Sequence, residues 1–545
     1  MGKFGKRIVL FTLFAINLVD QPAPEVTIEQ GILSGKISTD GSFFEYMGIP
    51  YATTNSSSRF KAPLPPPSWE GVYKAVDEIY QCPQPSPIGI IGTEDCLKIN
   101  VYVPTTAVKP LPVMVYIHGG AFLIGSGGKF IYAPDFLVNR DIILVTFNYR
   151  LGALGFICLG IKDAPGNAGL KDQIAALRWV KKNIAAFGGD PDHITLFGQS
   201  AGATSASMLL ASDATKELFH KVIVQSGSSI SSWAINRQPL WVASLIAKEL
   251  GYDTKDPHEL YEIFSRTPYE KLLKTKPKKP LGMYFDTQMI NYPCVENKIE
   301  GEEAVVTDYP YNILSTKSKN IPVIYGTTSR EGLFLLPEDT DESLAERDAR
   351  YIFASDLEFT SEELAANVSK QLKEFYFGQD KISMKTLNTI SELNTQLYFE
   401  APAILESQTI ASNTKADVFN YYFNYAGGRN FLKFLSGFKN EQGASHSDEI
   451  LYLFKGKIWP FPINQNDQQI IEWMTKMWTN FAKYGNPTPA HDDLPVIWEP
   501  SGKDEVKVLH IDEELKMSSI PNPRANQLWK DIYEKYRKKN KPNDF

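Results

Sequence analysis

A serine held between two glycines follows a short apolar run in the sequence HITLFGQSAGA at residues 193–203. The apolar run is typical of a buried strand, and the residues that follow, TSASMLLAS, favour a helix. A strand that turns directly into a helix at Gly-x-Ser-x-Gly holds its serine on a strained turn, with the hydroxyl pointing away from the sheet. The five-residue motif also occurs by chance, but in this context it predicts that Ser200 is a nucleophile.

A nucleophilic serine needs hydrogen-bond donors for the negative charge that develops on the attacked carbonyl oxygen. The sequence YIHGGAF at residues 116–122 offers them, because Gly119 and Gly120 follow the end of a predicted strand. Ala201 offers a third backbone N–H directly after the serine. We therefore predict an oxyanion hole built from these three residues. The alternative is a plain glycine turn between two elements.

The hydroxyl also needs a base, and the chain has seven histidines. His118 directly precedes the glycine pair and His193 begins the serine strand at its far end, so both are poorly placed. His446 lies in the small-residue loop of NEQGASHSDEILYLF, where an imidazole can reach a substrate. We predict that His446 is the base, with His491 and His510 as alternatives.

An acid that orients the base is expected between the serine and the histidine along the chain. Glu331 directly follows the apolar run IPVIYGTTS, which predicts that its carboxylate emerges at the same sheet edge as Ser200. Its expected role is to hold the tautomer of His446 and to stabilise the imidazolium. The same interval contains four rival acids: Glu338, Asp339, Asp341 and Glu342.

The elements that position these residues are short apolar runs, each ending on Gly, Asn or Ser, as in buried parallel strands. They include PVMVYIHGG, DIILVTFNYRLG, HITLFGQSAG and KVIVQSGSS. The segment GLKDQIAALRWVKKNIAAFGGDP has apolar residues every three or four positions and predicts a helix between two of the runs. The pattern predicts an α/β fold with a large, mostly parallel central sheet, helices on both faces and a small N-terminal antiparallel portion. We expect residues 21–545 to form a single domain.

The length and amino-acid composition agree with a folded chain. Of 545 residues, 43% are hydrophobic and 22% are charged, and the net charge of −7 argues against a nucleic-acid partner. Residues 1–20 place Lys3, Lys6 and Arg7 before an apolar stretch, which is the layout of a secretory signal peptide. The stretch lacks a clear Ala-x-Ala cleavage site, so an uncleaved or buried N-terminal segment remains an alternative. No run reaches eighteen apolar residues, so no membrane span is expected.

The four cysteines are too few for a disulfide scaffold. Cys82 and Cys96 enclose a short loop rich in proline and glycine, which an exported chain could close with a disulfide. Cys158 and Cys294 lie in apolar or proline-flanked contexts and are predicted to remain buried thiols.

Two Asn-x-Ser triplets, at Asn55 and Asn367, are candidate glycosylation sites. Such triplets also arise by chance. They agree with export of the chain.

Several ordered motifs resemble those of the type-B carboxylesterase and cholinesterase family of α/β-hydrolases. The resemblance covers nearly the whole chain after the predicted signal. Beyond FGQSAG and HGGAF, it includes EDCLKINVY at 94–102, NYRLGALGF at 148–156, FHKVIVQSGS at 219–228 and GASHSDEILYLF at 443–454.

The family resemblance implies the same triad of Ser200, Glu331 and His446, with Gly119, Gly120 and Ala201 as oxyanion donors. It further implies a Cys82–Cys96 disulfide, an ion pair of Arg59 with Glu94, and support of the acid by Ser226. By the same analogy Phe122 and Trp233 line the acyl or alcohol pocket, although plain core packing is an alternative for each.

One departure from the family is informative. Cholinesterases and vertebrate liver-type carboxylesterases usually carry Glu before the nucleophile, whereas this chain has Gln199, as do many insect esterases. The missing negative charge weakens the case for cationic choline esters.

The expected function is that of a secreted, extracellular serine carboxylesterase similar to insect antennal or detoxifying esterases. It would cleave small to medium neutral esters, such as acetate pheromone, hormone or xenobiotic esters, through an acyl-enzyme. Its expected partners are the ester and water, with no metal or organic cofactor, and a monomer is the default. The alternatives are a slow-turnover scavenger of esters or organophosphates and a non-catalytic, cholinesterase-like binding protein.

Overall fold

The glycine-ended apolar runs form the central strands of one twisted sheet. The computed structural model describes residues 22–78, 80–277, 291–503 and 505–540. The predicted signal peptide, residues 1–20, lies outside these residues. The strands of the described residues are β1 (Pro22–Ile28), β2 (Gly31–Ile37), β3 (Phe43–Pro50), β4 (Val72–Lys74), β5 (Gln84–Ser86), β6 (Gly89–Ile91), β7 (Lys98–Pro104), β8 (Leu111–Ile117), β9 (Ile143–Phe147), β10 (Gly189–Gln199), β11 (Lys221–Gln225), β12 (Val323–Thr328), β13 (Val418–Phe423), β14 (Val508–Ile511) and β15 (Leu515–Ser518).

Thirteen of these strands form the main sheet, in the order β1-β2-β3-β7-β9-β8-β10-β11-β12-β13-β14-β15, with β4 beside β2. The neighbours from β9 to β14 pair in parallel, and the strands from β1 to β9 along the sheet pair antiparallel, as do β14 and β15. Strands β5 and β6 form a separate hairpin. Because parallel strands run in the same direction, their carboxyl ends meet at one edge, and the candidate site lies there.

Helices connect and cover the strands. The α-helices of the described residues are Lys129–Tyr132, Asp135–Val138, Gly152–Phe156, Ala168–Asn183, Ala201–Ala211, Pro239–Glu249, Pro257–Arg266, Tyr269–Lys274, Pro310–Thr316, Asp341–Asp348, Glu362–Phe377, Leu387–Thr395, Ala401–Asn413, Phe431–Leu435, Gln465–Tyr484 and Pro523–Tyr536. A π-helical turn, Gln396–Glu400, joins two of them. Short 3₁₀ helices lie at Ile184–Phe187, Asp213–Thr215, Glu331–Glu338, Met384–Thr386 and Ile450–Tyr452.

Alternate side chains of a central strand enter hydrophobic cores on opposite faces of the sheet. Along β8, Val113, Val115 and Ile117 lie in one core, whereas Met114 and Tyr116 lie in the other. Both faces are therefore buried, which is why this strand reads as an uninterrupted apolar run rather than an alternating one.

The helices complete both cores. Leu170 and Ile174 of the helix Ala168–Asn183 pack into the first core, and Ile470 and Met474 of the helix Gln465–Tyr484 pack into the second. The predicted architecture, a mostly parallel sheet with helices on both faces and an antiparallel N-terminal portion, is confirmed. No helix among the described residues is long and apolar enough to cross a membrane.

The prediction that Cys158 and Cys294 remain free thiols is wrong, because the structure joins them in a disulfide. The two Cα atoms lie 6.5 Å apart although 136 residues separate the cysteines in sequence. Gly166 lies against the bridge, and a Cβ atom added there would come within 2.7 Å of both sulfurs. Only the tertiary fold brings these distant segments together, so local sequence context could not reveal the pairing.

Replacing Cys158 and Cys294 together by serine is expected to lower the free energy of unfolding by about 2–5 kcal/mol. The bridge closes a long loop, and the entropy removed from the unfolded chain grows with loop length. Urea denaturation followed by tryptophan fluorescence measures the change. The matched control replaces Cys82 and Cys96, which are bridged across only 14 residues and should cost less. An unchanged denaturation midpoint for the first pair would contradict the expectation.

Candidate active site

The serine lies at a sharp turn between β10 and the helix Ala201–Ala211. Ser200 has a φ of 58° and a ψ of −126°, a strained backbone conformation for a residue with a side chain. The glycines on either side are required by close backbone contacts. A Cβ atom at Gly198 would lie 2.4 Å from the carbonyl oxygen of Gly202, and one at Gly202 would lie 2.0 Å from that of Ile117. The helix therefore starts directly behind the serine, with its N-terminal N–H groups at the turn.

The structure brings the predicted histidine and acid to this serine. His446 Nε2 lies 2.8 Å from Ser200 Oγ, and His446 Nδ1 lies 2.6 Å from Glu331 Oε2. Glu331 is the first residue after the turn that follows β12, and β12 lies two strands from β10 in the sheet. The carboxylate is fully buried and the imidazole is 4% exposed. This chain of contacts can pass a proton from the hydroxyl to the ring and hold the ring in one tautomer.

The acid is fixed by the backbone around it. The N–H of Thr328 donates to Glu331 Oε1 at 2.7 Å, and the N–H of Gly332 donates to Thr395 Oγ1 at 2.9 Å. The expected support from Ser226 is not a direct hydrogen bond, because its buried hydroxyl has no hydrogen-bond partner within the described ranges.

The loop that carries the histidine is held by a second buried acid. Asp448 accepts hydrogen bonds from the N–H of Ser445 at 2.7 Å and from the N–H groups of Leu432 and Lys433 at 3.0 and 3.1 Å. Burial raises the pKa of Asp448 to about 7. The loop is thus tied to the helix Phe431–Leu435, which fixes the position of the imidazole relative to the sheet.

Two phenylalanines pack on the imidazole, and no pattern in the sequence indicated either of them. The ring centroid of His446 lies 4.8 Å from that of Phe334 and 4.7 Å from that of Phe399. Phe399 belongs to the π-helical turn Gln396–Glu400, and such turns recur at functional sites. The imidazole is therefore flanked by apolar rings and has polar neighbours in Ser200, Glu331 and the amide of Gln199.

The predicted oxyanion turn lies beside the serine. Gly120, Ala121 and Phe122 all have positive φ angles, of 113°, 56° and 59°. A Cβ atom at Gly119 would lie 3.0 Å from Ser200 Cβ, so this backbone can approach the reacting hydroxyl only as glycine. In the described part of the chain, no hydrogen bond is made by the N–H groups of Gly120 and Ala201, whereas the backbone N–H of Gly119 donates to the hydroxyl of Tyr132. The N–H groups of Gly120 and Ala201 are donors available to a substrate oxygen.

His118 supports this turn from below rather than facing the serine. It is fully buried, its ring stacks on Tyr149 with centroids 4.5 Å apart, and its Nδ1 lies 2.8 Å from the carbonyl oxygen of Gly119. Burial lowers the pKa of His118 to about 4, so the ring is neutral near pH 7. The alternative bases His491 and His510 lie against Tyr484 and Tyr422, away from the serine.

Among the rival acids, only Asp339 is buried, and it forms an ion pair with Arg347 at 2.9 Å. The others, Glu338, Asp341 and Glu342, are exposed. Of the acids considered in this interval, Glu331 alone is brought to the histidine.

The two predicted pocket residues are largely enclosed. Phe122 has no exposed surface and packs against Phe156, with ring centroids 4.8 Å apart. The indole N–H of Trp233 donates to the carbonyl oxygen of Tyr398 at 2.9 Å, and its ring lies 5.9 Å from that of Phe399. Trp233 therefore contacts the ring that packs on His446, whereas Phe122 packs in the core behind the oxyanion turn.

The remaining predicted contacts lie outside the reacting groups. Cys82 and Cys96 are joined in a disulfide, and Arg59 pairs with Glu94 at 2.8 Å. The side chains of Asn55 and Asn367, the candidate glycosylation sites, are exposed. Across the described ranges, no cluster of three or more His, Cys, Asp or Glu side chains could hold a metal ion.

A buried acid that the sequence reasoning missed lies three residues after the histidine. Glu449 accepts a hydrogen bond from the side-chain amide nitrogen of Gln225 at 3.3 Å, and the amide oxygen of Gln225 accepts one from the indole N–H of Trp478. Burial first, and then the charge of Glu331, raises the pKa of Glu449 to about 8. The sequence SHSDEI places two acidic residues close to His446, but it does not show which of their side chains is buried.

A serine at the strand-to-helix turn of a mostly parallel sheet, in line with a histidine and an acid, defines a serine hydrolase of the α/β-hydrolase fold. The family model described as the carboxylesterase family matches residues 22–529. The chain belongs to this family and is a serine hydrolase that acts on carboxylic ester bonds.

Individual relatives agree with this assignment. Esterase FE4 of Myzus persicae is 33% identical over 511 residues, which cover 88% of this chain and 87% of that protein. Juvenile hormone esterase of Heliothis virescens is 31% identical over 500 residues, which cover 86% of this chain and 87% of that protein. The crystal structure of juvenile hormone esterase from Manduca sexta, with OTFP covalently attached, superposes with a TM-score of 0.83 at 29% identity, covering 94% of this chain and 99% of that one.

Replacing Gln199 by glutamate is expected to move the acid limb of the pH profile of kcat/KM to higher pH by about one unit or more. The amide nitrogen of Gln199 lies 3.3 Å from His446 Nε2. A carboxylate there would stabilise the imidazolium, which cannot act as a base. Initial rates on a neutral nitrophenyl ester between pH 5 and 9 measure the shift. Gln199→Met is the neutral control and should leave the limb in place, and an unmoved limb in Gln199→Glu would refute the expectation.

The free energy of unfolding is expected to fall less between pH 5 and pH 8 in Glu449→Gln than in the wild type. The folded protein keeps a proton on Glu449 up to about pH 8, whereas the unfolded chain releases it near the ordinary value of 4.5. The folded state thus binds more protons between these values, so stability falls as the pH rises through this window. Glutamine does not titrate, so the variant lacks the part of this pH-dependent decrease, roughly a few kcal/mol, that Glu449 causes.

The measurement is the melting temperature of the wild type and of Glu449→Gln at pH 5 and pH 8. Glu374→Gln, an exposed helix position, is the matched control and should keep the wild-type difference between the two pH values. An equal pH dependence in all three proteins would show that Glu449 carries its charge in the folded state.

Proposed function

We propose that this protein is a secreted carboxylesterase that cleaves small to medium neutral esters through an acyl-enzyme on Ser200. The observation that carries the assignment of residues is the continuous chain of contacts Ser200–His446–Glu331, with distances of 2.8 and 2.6 Å. The burial of Glu331 and His446 supports the proposal, because the hydrogen bond between Glu331 and a protonated His446 ring is stronger away from water.

In the first step Ser200 Oγ attacks the ester carbonyl carbon, and His446 Nε2 takes the hydroxyl proton. The resulting imidazolium is stabilised by the carboxylate of Glu331, which does not take the proton itself. The electron pair of the carbonyl moves onto its oxygen. The N–H groups of the predicted donors Gly119, Gly120 and Ala201 then donate to this oxyanion, and such a donor typically contributes about 3 kcal/mol to the barrier reduction.

The intermediate collapses when the C–O bond to the alcohol breaks and the imidazolium gives its proton to the leaving oxygen. Water then enters, His446 removes one of its protons, and the hydroxide attacks the acyl carbon. Collapse of this second intermediate returns the proton to Ser200 Oγ and releases the acid. The two steps use the same base and the same oxyanion donors, so no further group is needed to balance them.

The surroundings of the histidine support a neutral ester as substrate. Phe334 and Phe399 present apolar rings, and Gln199 places an uncharged amide next to His446. The raised pKa of Glu449, about 8, leaves this nearby acid mainly protonated at pH 7. A cationic alcohol group would gain little here. The names of the relatives support hormone esters as candidates alongside acetate and xenobiotic esters.

Export of the chain is supported by separate observations. The basic and then apolar pattern of residues 1–20 is that of a secretory signal, and two disulfides suit an oxidising compartment. The exposed side chains of Asn55 and Asn367 are accessible to glycosylation.

Replacing Ser200 by alanine is expected to lower kcat for nitrophenyl acetate by a factor of roughly 10⁴ or more, because no other hydroxyl among the described residues forms a hydrogen bond with His446. Initial rates under saturating ester measure the change. Ser412→Ala, which removes an exposed hydroxyl from a distant helix, is the matched control and should retain wild-type activity. Wild-type activity in Ser200→Ala would refute the assignment.

Pre-steady-state kinetics of the wild type separate turnover from scavenging. A carboxylesterase should release many equivalents of nitrophenol at a steady rate after any burst. A single equivalent followed by almost none would mean that the acyl-enzyme is not hydrolysed, and the protein would then be a scavenger.

A further inference from the structure

A cluster of partly exposed aromatic rings lies on the surface near the active site. Phe431, Phe434, Trp459 and Phe461 contact one another, and we call them the aromatic rim. The ring centroid of Trp459 lies 5.8 Å from that of Phe431, 5.3 Å from that of Phe434 and 5.0 Å from that of Phe461. Phe434 and Phe461 remain 44% and 53% exposed although they pack against other rings. Aromatic side chains that cluster and still face water usually mark an interaction surface.

Further exposed apolar side chains extend the rim. Leu435, next to Phe434 in the same helix, is 60% exposed. Phe130 is 62% exposed, and its carbonyl oxygen accepts a hydrogen bond from the N–H of Ile458 at 2.9 Å, which places it beside the segment that carries Trp459. Two chain segments and one short helix therefore contribute apolar surface to one region.

Two of the chain segments that form the rim are connected to the active site. The helix that carries Phe434 is bonded to Asp448, the residue that holds the His446 loop. The segment that carries Phe130 begins at the oxyanion turn, where the N–H of Ile124 donates to the carbonyl oxygen of Gly120 at 3.0 Å. Ile124 is itself 47% exposed. Whatever binds the rim thus lies next to the segments that carry His446 and the predicted oxyanion turn.

The two segments that carry the rim are basic although the whole chain has a net charge of −7. The two segments RNFLKFLSGFK at 429–439 and KGKIWPF at 455–461 contain five basic and no acidic residues. Three of the basic residues, Lys439, Lys455 and Lys457, are exposed. Lys455 also pairs with Asp135 at 3.1 Å. The apolar rings are therefore flanked by lysines that suit a negatively charged partner.

We propose that the aromatic rim docks the enzyme onto an anionic lipid–water interface. Tryptophan and phenylalanine insert at the level of lipid headgroups, and each nearby lysine adds attraction to anionic lipids. Docking would place the entrance of the site against a phase in which poorly soluble esters dissolve. A second copy of the chain fits less well, because a two-fold contact would bring the lysines of one rim against those of the other.

The proposal is tested by co-sedimentation of the full-length mature protein with vesicles of phosphatidylcholine, with and without about 30% phosphatidylserine. The test does not depend on ester hydrolysis. The wild type is expected to bind the anionic vesicles. Phe434→Ser/Phe461→Ser is expected to reduce the partition coefficient about tenfold or more, because two exposed rings no longer insert. Val108→Ser/Ile497→Ser removes two apolar side chains of 95% and 76% exposure at other places and is the matched control.

A second pair keeps the test valid if the aromatic variant folds poorly, which near-ultraviolet circular dichroism reveals. Lys439→Gln/Lys457→Gln changes only exposed side chains and is expected to weaken binding about fivefold for each lysine, on anionic vesicles alone. Failure of the wild type to bind would overturn the proposal, as would an equal loss in the control. Concentration-dependent dimerisation abolished by Phe434→Ser/Phe461→Ser would also overturn it, in favour of a second copy.

Discussion

The contact on which the rest of the site depends is that between the backbone of Gly202 and the carbonyl of Ile117, where a Cβ atom would lie only 2.0 Å from the oxygen. This contact presses the start of the helix Ala201–Ala211 against the end of β8, the strand that leads into the oxyanion turn. Ser200 is thereby forced into its strained conformation, since the chain must reverse within one residue. Ser200 and the predicted oxyanion turn thus become neighbours through a backbone approach that only glycine permits.

The same edge of the sheet collects buried acids, and their different surroundings give them different roles. Glu331 faces a ring nitrogen and a backbone N–H, both of which suit a carboxylate. Glu449 accepts from its own backbone N–H and from the amide of Gln225, and burial raises its pKa to about 8. Asp448 accepts backbone N–H groups that fix the histidine loop. A single ionised acid beside the imidazolium avoids repulsion between neighbouring carboxylates.

Several features could be predicted because they depend on local patterns. The glycine-ended runs predicted parallel strands, and those strands meet at one edge, so Glu331 could be preferred over four rival acids by its place after a strand. Other features depend on distant contacts. Phe399 reaches His446 from a π-helical turn that no sequence pattern marked, and Ser226 makes no direct bond to the acid it was expected to support. The Cys158–Cys294 bridge joins segments 136 residues apart, so the expectation of free thiols failed.

By itself the sequence determined the class of fold, the order of the candidate nucleophile, acid and base, and the neutral residue Gln199 beside the serine. These features follow from the period of apolar residues and from backbone conformations that few residue types adopt. The tertiary structure decided which acids are buried with a partner, which rings enclose His446 and which aromatic side chains remain exposed beside the site. These properties are set by packing between segments far apart in the chain, and local sequence does not encode such contacts.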